Sequence, residues 1–294
     1  LFQPFDLGKW CVMGFTVFLA ELGSGGSGSG FNWHGNNSIS GDQARQFINR
    51  AVTFVNEHVV LITAMVIAVI VLSAALAALL HWLSSRGMFM FLDNVVRNRA
   101  AVAEPWRQYA PHGNSLFAVR YTAWLLSAVL GLALLAGAVV LAWPDISAWS
   151  FGSAAIIALC TFVPLMIILA IAFVLFNGIM DDFIVPVMYR HTVRAWPAMG
   201  IFARHVVRGN VWKVILFYLM CLVLGMAAGA LMITLGLLTC CCGCCLMALP
   251  YIGSVVLLPI SVFFRCYSLY FLAQCGPEWE LLTPAPPQAE IAVE

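Results

Sequence analysis

Arg265, in SVFFRCYSLYF, is an arginine set inside an apolar run. In hydrocarbon such a side chain costs at least ~3 kcal/mol unless it is paired or reaches the headgroups. It lies about seven residues before the end of its run, or about 10 Å at 1.5 Å per residue, so it can snorkel to the interface. It can also pair with Asp181 or Asp182, at the end of an upstream apolar run, which makes these three residues a candidate intramembrane charge pair. A role in transport or in holding a lipid headgroup is open to the same group. Asp93 and Asp182 fall in matching places of two similar stretches. Each reads as the N-cap of an amphipathic segment, and Asp93 also meets Arg97 one turn on. The other reading is a carboxylate pair for a cation, although the two are too far apart for a local metal motif.

Cys240, Cys241, Cys242, Cys244 and Cys245 form the sequence CCCGCC. A zinc site would need paired cysteines matched by a distant pair or by histidines, and the cluster has neither. It reads as small-residue packing, or as a disulfide from Cys241 or Cys242 to Cys244 or Cys245. His58 and His81 stand at opposite ends of one apolar run, and no second run carries a facing histidine that would complete a pigment site. There is no nucleotide-binding loop, no nucleophile beside a base and no buried acid relay. The expectation is a protein that is not an enzyme, with no catalytic, cofactor-binding or metal residues.

The elements that must position these residues follow from composition. The chain is 63% hydrophobic and 9% charged. Soluble domains carry about a quarter charged residues, so lipid is the solvent this chain suits. The expected fold class is all-α, a polytopic helical membrane bundle with five secure spans and a short N-terminal membrane helix. The spans are Val59–Leu83, Val119–Trp143, Ala154–Phe176, Val211–Leu238 and Tyr251–Leu272. Pro144 should end the second, and Pro164 should kink the third. Leu7–Leu22 falls short of the ~20 residues a span needs, so it either crosses thinly or lies in the interface. Ala74 with Ala78, and Gly225 with Gly229, offer small-residue faces for helix packing.

The two similar stretches are 88–121 and 177–213. Gly209-Asn210 echoes Gly113-Asn114, and Phe183 beside Asp181-Asp182 echoes Phe91 beside Asp93. This predicts two parallel internal repeats with cytoplasmic amphipathic helices. The divisions are 1–22, the short helix; 23–58, a Gly/Ser-rich outer loop with an amphipathic lead-in over Asp42–Glu57; 59–143 and 154–238, the repeats; 239–276, the cysteine-rich outer turn and last span; and 277–294, an acidic, Pro-rich tail expected to be disordered or extended. Basic residues crowd both stretches and are missing from the Trp143–Ser153 and cysteine-rich loops. The positive-inside rule then puts the repeated stretches and the C-terminus in the cytoplasm. Arg97, Arg99, Arg107, Arg190, Arg194, Arg204 and Arg208 alternate with aromatic residues, a composition that lies on anionic lipid or docks a partner. A net charge of +1 spread by topology points to no nucleic acid.

PFDLGKWCVMGFTVFLA, MFMFLDNVVRNRAAVAEPWR and LPYIGSVVLLPISVFFRCYSLYFLAQCGPEW are similar to an uncharacterised family of bacterial polytopic membrane proteins. More distantly, the repeated layout resembles the membrane domain attached to some glycerophosphoryl diester phosphodiesterases. The resemblance implies a multi-pass helical protein of the bacterial inner membrane with cytoplasmic interfacial helices. It carries over no activity, because the sequence has no counterpart of the phosphodiesterase catalytic domain. The expected function is a non-catalytic integral membrane protein, a structural or accessory subunit of a larger membrane assembly, partnered by membrane lipids and other subunits. The alternative is a transporter or channel for a small solute or lipid.

Overall fold

A main chain in lipid must satisfy its own hydrogen bonds, and an α-helix does so within a single run. The computed structural model describes residues 7–22, 57–148, 152–208, 211–238, 250–276 and 279–282, and all regular structure among them is helical. Helix α1 covers Leu7–Glu21, α2 Val59–Val96, α3 Ala103–Gln108, α4 Ala110–Ser147 and α5 Ser153–Ile179. A π-helical turn, Met180–Ile184, joins α5 to α6, Val185–His191. Helix α7, Ala195–Phe202, ends in a second π-helical turn, Ala203–Val207. Then come α8, Val211–Leu238, α9, Pro250–Val256, and α10, Leu258–Ala273. The Gly/Ser-rich loop, nearly all of the amphipathic lead-in, the Cys240–Cys245 cluster and the chain beyond Leu282 lie outside the described residues.

Among the described residues four helices are long and apolar enough to cross a membrane: Val59–Val96, Ala110–Ser147, Ser153–His191 and Val211–Thr234. Helices α2 and α4 have 38 residues each. Each is therefore ~57 Å long, against ~30 Å of hydrocarbon, and the surplus has to go elsewhere. It goes into protein. Between Val59 and Leu72 every residue of α2 except Ile62 is exposed, while the buried residues of the same helix run from His81 to Val95. Phe89 and Leu92 of this end share one apolar core with Phe183, Val185, Ala195, Ala198 and Leu269. Phe183 stands at its centre, with ring centroids 5.1 Å from Phe202, 5.0 Å from Phe217 and 5.6 Å from Phe271.

Helix α1 runs antiparallel along the buried end of α2. Lys9 Nζ donates to the main-chain and side-chain oxygens of Asn98, at 2.9 and 2.8 Å. At the other end Ser84 Oγ donates to the Ala20 carbonyl at 2.6 Å. Between them Gly87 sets the approach, since a Cβ there would stand 2.6 Å from Ala20 N and 2.7 Å from the Leu19 carbonyl carbon.

Several boundaries differ from those the sequence suggests. The last run, Tyr251–Leu272, is divided at Leu257 into α9 and the 16-residue α10. Pro259 falls in the first turn of α10, where a missing N–H is harmless, and α10 alone is short of the ~20 residues of a span. Trp10 Nε1 donates to the Val255 carbonyl at 3.0 Å and Tyr251 Oη to the Cys11 carbonyl at 3.2 Å, so α9 is fastened to α1. Pro144 does not end α4, which continues to Ser147. Among the described residues nothing packs against Gly225 or Gly229. A Cβ built on either meets nothing within 4 Å, so this face of α8 is open among the described residues. Within the tail, Trp279 is 3% exposed and its ring lies 5.2 Å from His191.

Candidate functional site

The site is built on one proline. Pro186 has no N–H, so a helix passing through it leaves a carbonyl one turn back without a donor. Val185 N–H bonds the Met180 carbonyl in the wide π register. In that register the carbonyl abandoned by Pro186 is that of Asp181, and in the α register it is that of Asp182. Helix α10 supplies donors to both. Arg265 Nη1 donates to the Asp181 carbonyl at 2.6 Å, and Ser268 Oγ donates to the Asp182 carbonyl at 2.5 Å. Arg265 Nη2 also contacts Met88 Sδ at 3.1 Å, and the guanidinium lies 5.5 Å from the Phe91 ring centroid. The structure thus brings Arg265 to Asp181 and Asp182, but it bonds main-chain oxygen, not a carboxylate.

The Asp181 carboxylate is met by a residue that the reading of the sequence did not single out. Arg120, 1% exposed, places Nη1 3.0 Å from Asp181 Oδ1 and Nη2 3.5 Å from Oδ2. The closer contact is misaligned for a hydrogen bond, and Arg120 Nε has no partner among the described residues. The pair is held by charge more than by directed bonding. Its signal in the sequence was an arginine at the edge of an apolar run. A cavity of 340 Å³ adjoins this turn, lined in part by Glu21, Asp182, Ser261 and Arg265.

Asp93 is not the cap of a following helix. It lies inside α2, fully buried, and collects donors from three directions. Arg97 Nε is 3.1 Å from Oδ1, and Arg99 Nη2 and Nε are 2.7 and 3.0 Å from Oδ2. Tyr189 Oη donates to Oδ1 at 2.9 Å and Tyr109 Oη at 3.3 Å. Arg99 continues to Glu104 at 2.8 Å. Hydrogen bonding to Tyr189, with Asp93 alongside, raises the Arg97 guanidinium above its ordinary value, and bonding to Asp93 does the same for Arg99. Burial pushes the Tyr109 phenol up, so it stays a donor. Asp182 does not cap a helix either, since the helix is continuous through the π turn.

This hub yields a test. Asp93→Ala removes the acceptor of two arginines and two phenols. Breaking a fully buried pair costs ~3–5 kcal/mol. Here Arg97 and Arg99 are 42% and 28% exposed and can turn to water, so the expected loss is about 2 kcal/mol. Asp93→Asn keeps an acceptor and should lose less. Thermal unfolding in detergent micelles ranks the three proteins, and an alanine variant as stable as the parent contradicts the hub.

Of the seven arginines expected to face lipid or a partner, Arg97 and Arg99 are committed to Asp93. Arg107, Arg190, Arg194, Arg204 and Arg208 are exposed, and Trp196 among them is 77% exposed. His81 is 8% exposed, with Nδ1 2.9 Å from the Ala77 carbonyl and its ring against Trp124 at 5.9 Å, whereas His58 is exposed. No group of three or more metal-ligating side chains gathers among the described residues.

Comparison with known proteins gives a family without an activity. A family model described as a family of unknown function (DUF7544) matches residues 1–251. Searches of curated proteins and of solved structures each return no match. None of these comparisons shows a likeness to glycerophosphoryl diester phosphodiesterases.

Proposed function

We propose that this chain, which belongs to the DUF7544 family, is a non-catalytic integral membrane protein that serves as a structural or accessory subunit of a larger membrane assembly. The observation that carries this reading is the exposed half of α2. Val60 is 81% exposed, Leu72 71% and Val69 63%, on a helix whose most apolar window buries nothing inside the protein. A lone apolar helix in lipid gains by close contact with another helix. The open Gly225–Gly229 face of α8 is a second place for such contact. Lipid and partner subunits are the occupants proposed for both, with the exposed arginines at the headgroups.

The finer architecture is part of the same proposal. The order long helix, short helix, long helix occurs twice, as α2–α3–α4 and as α5 to α6, α7 and α8. Each first member is followed by a left-handed residue, Asn98 at φ 49° and Thr192 at φ 52°. These features support parallel repeats, and the basic loops support a cytoplasmic placement in a bacterial inner membrane. Cysteines placed at Arg107 and Arg194 should both be labelled from the inner side of sealed vesicles, and labelling from opposite sides refutes the repeat.

Purification in native nanodiscs tests the subunit reading. A stoichiometric complex is expected, with crosslinks from α2 residues such as Val60 and Val69. A monodisperse monomer, with those positions crosslinking only to lipid, overturns it. The cavity beside Arg265 favours the second reading, a transporter or channel for a small solute or lipid, since mixed charge within a membrane domain marks solute pathways.

A further inference from the structure

Helices α8 and α10 meet at three rings. Phe217 of α8 is buried, with its ring centroid 5.1 Å from Tyr267 and 4.8 Å from Phe271 of α10. The same rings line a groove of 410 Å³, whose α8 wall runs from Lys213 to Val223. Lys213 is the only charged residue among those that line it. Its ammonium makes no hydrogen bond or ion pair with the described residues. Gln274, at the end of α10, lines the groove too. Its amide adds two N–H donors, likewise without a partner among the described residues. The two side chains belong to one end of the groove. Burial raises the Cys275 thiol, next to Gln274, and Lys213 lies close enough to pull it the other way.

The groove has the depth of one leaflet. From Lys213 to Val223 its wall is ~15 Å long at 1.5 Å per residue, which is half of the ~30 Å of hydrocarbon. A helix crossing the membrane would need a groove twice as long. Lys213 stands where the basic stretch 177–213 meets α8, and the far end, at Met220 and Val223, is apolar and exposed. A cation at the interface end, with no acid in the lining, is matched by an anion that carries hydrocarbon and no cation of its own. We infer that this groove binds an anionic phospholipid of the phosphatidylglycerol kind, with its phosphate on Lys213 and Gln274 and an acyl chain along Met220 and Val223. The site rests on α8 lying in lipid, and it holds whether the protein is a subunit or a transporter.

The test uses the full chain. Extraction from membranes by detergent, and not by alkaline carbonate, is checked first, because it tests the membrane reading alone. Phosphatidylglycerol and phosphatidylcholine with the same acyl chains are then offered in equal amounts to the protein in detergent, and retained lipid is read by native mass spectrometry. The parent should retain phosphatidylglycerol at least about fivefold over phosphatidylcholine, the factor for ~1 kcal/mol per basic residue at an anionic headgroup. Lys213→Gln should bring the two lipids close to parity, and Lys213→Arg should keep the preference. Val223→Trp fills the groove and should lower retention of phosphatidylglycerol, with Met220→Trp in its place if that variant does not fold. Equal retention of both lipids by the parent, a preference unchanged in Lys213→Gln, or undiminished retention in the groove-filled variant overturns the inference. So does a homodimer crosslinked through Val223→Cys, which would give the groove to a second copy of the chain.

Discussion

Gly87→Ala should destabilise the protein by about 1–3 kcal/mol through overpacking, and Gly87→Val should release α1. The sign alone is informative. In an open helix interior, alanine is better than glycine by ~1 kcal/mol, so a stabilised alanine variant would mean that α1 does not lie where it is described. The loss is expected because the added carbon meets main chain, Ala20 N at 2.6 Å and the Leu19 carbonyl carbon at 2.7 Å. Main chain in a helix cannot swing aside as a side-chain end can. Helix α1 buries Met13, Val17, Leu19 and Ala20, and this packing is what the close approach at Gly87 permits. Thiol labelling of Cys11, which is partly buried, provides the measurement. Labelling should be slow in the parent and fast in the valine variant, and equal rates would contradict the dock.

The parts of this arrangement that could be read beforehand are those that depend on neighbours in sequence. The apolar runs marked α2, α4, α5 and α8, because about 20 uncharged residues leave few alternatives to a helix. The four-residue spacing of Asp93 and Arg97 gave their contact. What could not be read depends on residues far apart along the chain. Tyr189 reaches Asp93, and Arg120 reaches Asp181, only because separate helices converge. The nearness of Arg265 to Asp181 and Asp182 was one of the readings open in the sequence, beside snorkelling, but its bond to a main-chain oxygen follows from Pro186 and the π register. The ends of the helices could not be read for a related reason. An apolar run shows where lipid is suitable, and α2 and α4 continue well past that point because protein contacts replace lipid.

Arg120→Met should lose about 3–5 kcal/mol, because it leaves the Asp181 carboxylate without its nearest cation. The double variant Arg120→Met with Asp181→Leu should recover most of that loss. Buried ion pairs are expensive to break and nearly neutral to replace whole with apolar groups of similar volume. Two features strengthen the expectation here. The closer contact of the pair is misaligned for a hydrogen bond and the other is 3.5 Å long, so little directed bonding is forfeited when both members go. Arg265 holds the main-chain oxygen of residue 181, which the leucine variant retains, so the anchoring of α10 to the turn should survive. Unfolding of the four proteins of the cycle in detergent gives the coupling energy directly. A value of about 2 kcal/mol or more is expected. Additive losses would show that Arg120 is retained for some contact other than Asp181. The same cycle bears on Arg265, since a turn that stays docked without the Arg120 pair is held mainly by α10, through the Asp181 and Asp182 carbonyls.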